Sequence, residues 1–163
     1  MDQIEFAGKV VNGIGKHSEL FVPGRSEVPD CAIGWPEKLL PESLNVRISK
    51  YPDEFAARRL PPFVATLDIA GFEPQFKIAR HLMLNNTLAA TQTMPHRGDA
   101  QVWMASLITS KQEVSCWVLR RFGSALKDQI ELVSSVGLRN ELGLTRDGNW
   151  PVVLRMFGRW QKA

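Results

Sequence analysis

The sequence predicts a mainly β domain whose strands close into a barrel. Three observations carry that expectation: apolar and polar residues alternate over many short runs, turn-forming residues separate the runs, and helical patterning is scarce. With so many short strands in 163 residues, closure is the arrangement that removes exposed sheet edges. Residues 1–163 are read as one domain, long enough to bury a sizeable core.

Residues 4–12 are strand-like, and 43–49 (SLNVRIS) set Leu44, Val46 and Ile48 against polar neighbours, the pattern of a half-buried strand. The runs 63–71, 75–84, 100–109, 113–121, 129–134 and 150–157 continue the series. TSKQE (109–113) reads as a hairpin loop and RDGN (146–149) as a turn before the last strand. Two segments read as helix. PDEFAARRL carries Pro52 near its start, and GLRNELG closes on Gly143. Residues 23–42 hold four prolines and two glycines, and such a long irregular connection suits a lid or binding loop. Trp35 inside it is a candidate for stacking on a ligand ring, whereas the other four tryptophans fall in strand or chain-end positions that favour packing.

Composition narrows the function classes. A hydrophobic fraction of 44% and a charged fraction of 23% belong to an ordinary globular chain. A net charge of +3 suits small anionic ligands, and its scatter gives no reason to expect nucleic acid as a partner. The paired bases Arg58-Arg59 and Arg120-Arg121 read as solvated surface. Cys31 and Cys116 lie far apart without metal spacing, and three histidines show no zinc pattern. No signal-peptide pattern opens the chain and no apolar run reaches the ~18 residues of a membrane span, so a cytoplasmic protein without a membrane partner is expected.

The stretch GKVVNGIGKHSELF (8–21) begins like a phosphate loop. A Walker loop requires G-x-x-x-x-G-K-[ST] followed by a helix. Here Gly13 and Gly15 are two apart, His17 takes the hydroxyl position, and Leu20-Phe21-Val22-Pro23-Gly24 is not helical. A loop between two strands is the alternative, because glycines let backbone N–H groups approach an anion without a helix. Further on, Ser43 and Asn45 stand two apart on a strand and so share a face. Their neutral oxygens suit Mg²⁺, which takes few protein ligands beside substrate phosphates, and they are expected to line a cleft.

Taken together, GKVVNGIG, the PESLNV segment and QIELVSSVGLRNELGLTRDGNWPVVLRM resemble the archaeal CTP-dependent riboflavin kinase family. The resemblance spans roughly 4–49 and 112–157, in the family's order. It implies a closed six-stranded, riboflavin-kinase-like (cradle-loop) barrel with one or two short helices. It also implies a Mg²⁺-dependent transfer of phosphoryl from a nucleoside triphosphate, CTP ahead of ATP, to a small alcohol such as riboflavin. Gly13, Ile14, Gly15, Lys16, His17 and Ser18 match the family's nucleotide loop, and Val136, Gly137, Leu138 and Arg139 match a second nucleotide segment. Ser43 and Asn45 match the Thr and Asn that hold the metal. Glu131 matches a flavin-contacting acid that could take the hydroxyl proton, and a flavin-contacting Thr falls near Gly123 or Ser124. The chain departs from the family at Glu42, where a Gly is usual, at Lys16-His17 for Glu-Gly, at Ser135 for Pro, and throughout 23–42. Two other readings stay open: a kinase for a different small alcohol on the same fold, and a barrel that binds nucleotide or flavin without turnover.

Overall fold

In β1 (Asp2–Val11) the residues Ile4, Phe6 and Val10 are buried while Gln3 and Glu5 face solvent, the two-residue alternation of a strand with one face on a core. β8 (Trp150–Trp160) and much of β2 (Leu44–Lys50) follow the same rule, whereas β5 (Ala100–Ile108), β7 (Gln129–Val133) and the second half of β6 (Glu113–Arg121) are buried on both faces. In the computed structural model, which describes residues 1–11, 22–40, 44–83, 98–144 and 150–162, these strands pair in the order β1-β2-β7-β6-β5-β8. The β8–β1 and β8–β5 pairings join the ends, so the sheet is a closed six-stranded antiparallel barrel. Two short strands, β3 (Phe72–Glu73) and β4 (Phe76–Ile78), add to β8 and β5 outside the ring.

The barrel interior is apolar. Val46, Trp103, Leu107, Val118, Leu132, Leu154 and Met156 are all fully inaccessible and belong to one cluster. After β2 the chain turns into α1 (Asp53–Ala57), where Phe55 and Tyr51 meet the Phe6 ring edge-on at 5.8 Å. After β7 it forms α2 (Leu138–Glu141), whose Leu138 joins the same cluster together with Leu142. Gly143, at φ +64°, ends α2 in the left-handed conformation expected of it. Both helices fall where the sequence places them. The 109–113 hairpin also holds, closed by the Thr109 N–H donating to the Gln112 carbonyl at 2.9 Å.

Two strand expectations change. Residues 63–71 form a 3₁₀ helix over Val64–Asp68 instead of a strand. Its Val64 and Leu67, three apart and so on one side, join the barrel core. Asp68, next along, meets Arg120 on the inward side of β6 in a bidentate pair at 2.9 and 3.1 Å. Gln101 Nε2 and the Gly123 N–H donate to the same carboxylate at 2.8 and 3.1 Å. Arg120 is therefore 5% exposed, and neither it nor the similarly buried Arg121 is the solvated surface that their sequence suggests. Of the expected 75–84 strand, the described residues 75–83 form a strand only over Phe76–Ile78, followed by a 3₁₀ turn over Arg80–Leu82 whose first N–H donates to Asp99.

A second apolar layer covers the outer face of β4, β5, β6 and β7. The proline-rich segment 22–40 contributes Val28 and Trp35 to it. Trp35 is 1% exposed, packs edge-on against Phe76 and Trp117 at 5.0 and 5.1 Å, and donates its indole N–H to the Pro23 carbonyl. It is a core residue and not a ligand-stacking one, because its two strand-borne aromatic neighbours enclose it. No helix among the described residues is long and apolar enough to cross a membrane.

Candidate functional site

Alternation decides where the two key polar residues point. In β2, Leu44 and Val46 face the barrel interior, so Asn45 between them faces outward. In β7, Ile130 and Leu132 do the same and send Glu131 outward. The β2–β7 register pairs Asn45 directly with Glu131. Directly opposed antiparallel residues share a face with Cβ atoms about 4.5–5.5 Å apart, so amide and carboxylate are neighbours. Both are buried, at 1% and 8% exposure. The expectation that Asn45 lines an open cleft is not met, since burial at that level leaves it no open side.

The surroundings of the pair are polar. Asn45 Nδ2 donates to Gln129 Oε1 at 3.0 Å, diagonally across the strands. Asn45 Oδ1 is buried without a hydrogen-bond partner among the described residues. Such an atom pays for lost hydration unless something else satisfies it. On β6, Arg121 lies on the same outward face and donates from Nε to the Gly98 carbonyl at 3.3 Å. A cavity of about 20 Å³ opens between Ser124, Gln129, Glu131 and Arg121. It brings the two residues expected to contact flavin, Ser124 and Glu131, to one place, at a size that fits a water molecule.

Residues 136–139, which the sequence suggests as a second nucleotide segment, approach the end of β1. Arg139, in α2, donates from Nη2 to the carbonyl of Val11 at 3.5 Å. Val11 ends β1 two residues before the 13–18 loop. Val136 is exposed and Leu138 buried, so α2 is anchored by its apolar side and tied to β1 by its base. Gly13, Ile14, Gly15, Lys16, His17, Ser18 and the metal candidate Ser43 lie outside the described residues.

An uncharged, unpaired amide oxygen such as Asn45 Oδ1 fits the donor chemistry of a Mg²⁺ ligand. Among the described residues, no group of three His, Cys, Asp or Glu side chains is gathered to hold a metal by itself. Substrate phosphates and water would have to complete such a shell. Cys31 and Cys116 are free thiols, and burial pushes Cys116 up to about 12. Sequence reasoning missed Gln129, although QIELV places it two before Glu131 and so on the same face. It missed Arg121 as well, whose position at the end of an apolar strand was the available signal. No family model matches the chain, and no curated protein matches it.

Proposed function

We propose that this protein transfers the γ-phosphoryl group of a nucleoside triphosphate, CTP ahead of ATP, to riboflavin in a Mg²⁺-dependent reaction that yields FMN. The observation that carries the reading is the pairing of Asn45 with Glu131 across β2 and β7, both buried on the outer face. It puts a metal-type oxygen donor beside a carboxylate, on a rigid support. The Arg139–Val11 contact adds support by tying the Val136–Arg139 segment to the end of β1, two residues in sequence before Gly13.

In this reading Asn45 and Ser43 hold Mg²⁺, which when bound neutralises and orients the phosphates. Glu131 accepts the hydrogen bond of the attacking hydroxyl and takes its proton as that oxygen bonds to phosphorus and the nucleoside diphosphate leaves. Lys16 offsets charge on the transferred group. Phosphoryl transfer depends mainly on positioning and charge neutralisation, so these few groups are sufficient.

A second reading is a kinase for another small alcohol on the same fold, because the residues expected to face flavin depart further from the family than those expected to face nucleotide. One experiment separates them. The protein is incubated with Mg²⁺, CTP or ATP, and riboflavin or a panel of small polyols, and products are resolved by chromatography. FMN formation with CTP supports the proposal, and phosphorylation of a polyol alone supports the second reading. Flavin or nucleotide binding without any product makes the barrel a binding module and overturns the kinase reading.

A further inference from the structure

The outer face of β5, β6 and β8 carries a groove of about 400 Å³. Small-molecule sites typically enclose roughly 300–1,000 Å³. The floor of this one follows from strand alternation. Trp103, Ala105 and Leu107 belong to the barrel core, so Met104 and Ser106 between them point outward. The registers set Phe157, Met104 and Trp117 in one row across β8, β5 and β6, and Ser106 and Ser115 in the next. Two residues of strand separate the rows, about 7 Å.

The rows offer different chemistry. The first is a thioether between two aromatic rings, all three half-buried. Trp117 is held by edge-on contacts with Trp35 and Phe76 at 5.1 and 6.2 Å, so its ring needs no ordering when a ligand arrives. The second row is hydroxyl. Ser106 is 8% exposed, lines the groove, and makes no side-chain hydrogen bond to another described residue. A buried hydroxyl in that state calls for a partner from outside the fold. No Asp, Glu, Lys, Arg or His is among the described residues that line the groove. Arg155, which the register sets beside Ser106, has its charge paired with Glu5 and Glu113 at 3.1 and 3.5 Å. At the rim, Ile33 and Val136 are exposed aliphatic side chains that a ligand would cover.

We propose that this groove binds a neutral, planar heterocycle of two or so fused rings, its face on the Phe157–Met104–Trp117 row and its amide-type edge on Ser106. A hydroxyl both donates and accepts, which suits the adjacent N–H and C=O of a lactam. A charged ligand would lose hydration with no counter-charge in the lining to replace it. Asn45 and Glu131 do not line the groove, so binding here does not depend on the kinase reading.

The test uses the full chain and its Ser106→Ala variant. Quinolin-2-one is the probe, and the anion quinoline-2-carboxylate is its charged counterpart. Binding is followed by NMR through the Met104 methyl and Trp117 indole resonances, and a thermal melt shows that the variant is folded. Expected is saturable binding of quinolin-2-one with a Kd of about 0.1–3 mM, the range for a ligand of its size. Ser106→Ala should bind it about fivefold more weakly, the loss of one neutral hydrogen bond. The carboxylate should bind wild type about tenfold more weakly or worse. No saturable shift at Met104 and Trp117 up to about 5 mM overturns the proposal. Equal affinity in Ser106→Ala does so too, as does a carboxylate that binds as tightly as the lactam. Should the variant not fold, quinoline, which lacks the lactam edge, takes its place on wild type, and equal affinity for the two rings is then the overturning result. Shifts of the same resonances with protein concentration alone would assign the groove to a second copy of the chain and overturn the ligand reading.

Discussion

Replacing Asp68 by alanine should cost more stability than any surface change in this protein. Asp68 accepts four hydrogen bonds: two from Arg120, one from Gln101 and one from the Gly123 backbone. Its removal leaves the Arg120 guanidinium at 5% exposure with the Ser124 carbonyl, 3.5 Å away, as its remaining partner among the described residues. Breaking a buried pair by deleting one member typically costs about 3–5 kcal/mol, because the surviving charge stays desolvated. Exposed pairs such as Arg47–Asp128, by contrast, are worth roughly 0–1 kcal/mol.

The assay is urea unfolding followed by tryptophan fluorescence. With a slope of about 2 kcal/mol per molar, the loss corresponds to a midpoint lower by roughly 1.5–2.5 M. The double variant Asp68→Leu, Arg120→Met removes both charges and fills the space, so it should recover most of the loss. A loss below about 1 kcal/mol for Asp68→Ala would refute the reasoning, since the pair would then behave like a solvated one. Full destabilisation in the double variant would refute it from the other side, by showing that packing around residue 68 matters more than charge.

Three further outcomes are expected. Glu131→Gln should lower turnover by about 10²–10⁴ with little change in nucleotide affinity, measured by steady-state kinetics and by titration; unchanged turnover removes Glu131 as the base. Gly8→Ala should destabilise by about 1–3 kcal/mol, because a Cβ there would stand 2.1 Å from the Arg47 carbonyl oxygen at the β1 bulge; a neutral melt would mean that the bulge relaxes freely. Cys116, raised by burial from 9.0 to about 12, stays protonated in the fold while its unfolded counterpart ionises, so its contribution is complete below pH 9 and falls as pH rises toward 12 by up to about 4 kcal/mol. Burial and the Asp128 charge raise Tyr51 as well and act in the same direction, so Cys116→Ala should remove part of the alkaline decline seen in pH-dependent melts, and an identical decline would rule the thiol out.

The positions of the barrel strands along the chain and the two helices were legible because alternation and turn residues are local properties. Leu44, Val46 and Ile48 on one face, with Asn45 between them, need no knowledge of the rest of the chain. The 63–71 segment was not legible, because its β-branched residues suggest a strand. The choice of a 3₁₀ helix is made by Arg120, 52 residues away, which needs the Asp68 carboxylate at the barrel end. The same contact hid the nature of Arg120-Arg121, since two adjacent bases look like surface until a buried partner is supplied. Trp35 misled for a related reason. A proline-rich loop suggests exposure, yet Phe76 and Trp117 lie on separate strands and meet only in the folded sheet. Glu131 and Asn45 were each visible, whereas their direct pairing depends on a register that no local pattern encodes.

That register also explains why the candidate chemistry lies outside the barrel. A six-stranded ring is smaller than the eight-stranded barrels whose interiors side chains just fill, so its lumen has no space for a ligand. Trp103, Leu107, Val118 and Leu132 occupy it. A site that excludes water must then be built on the outer face, under a second layer. The apolar layer of Trp35, Phe76 and Trp117 covers part of that face, and the polar group of Asn45, Gln129, Glu131 and Arg121 lies along the neighbouring strands. Each of β2 and β7 therefore has two separate duties, carried by alternate residues. Changes at Leu44, Val46, Ile130 or Leu132 should act on stability through the core, and changes at Asn45, Gln129 or Glu131 should act on ligand affinity or turnover, although all seven occupy the same two strands.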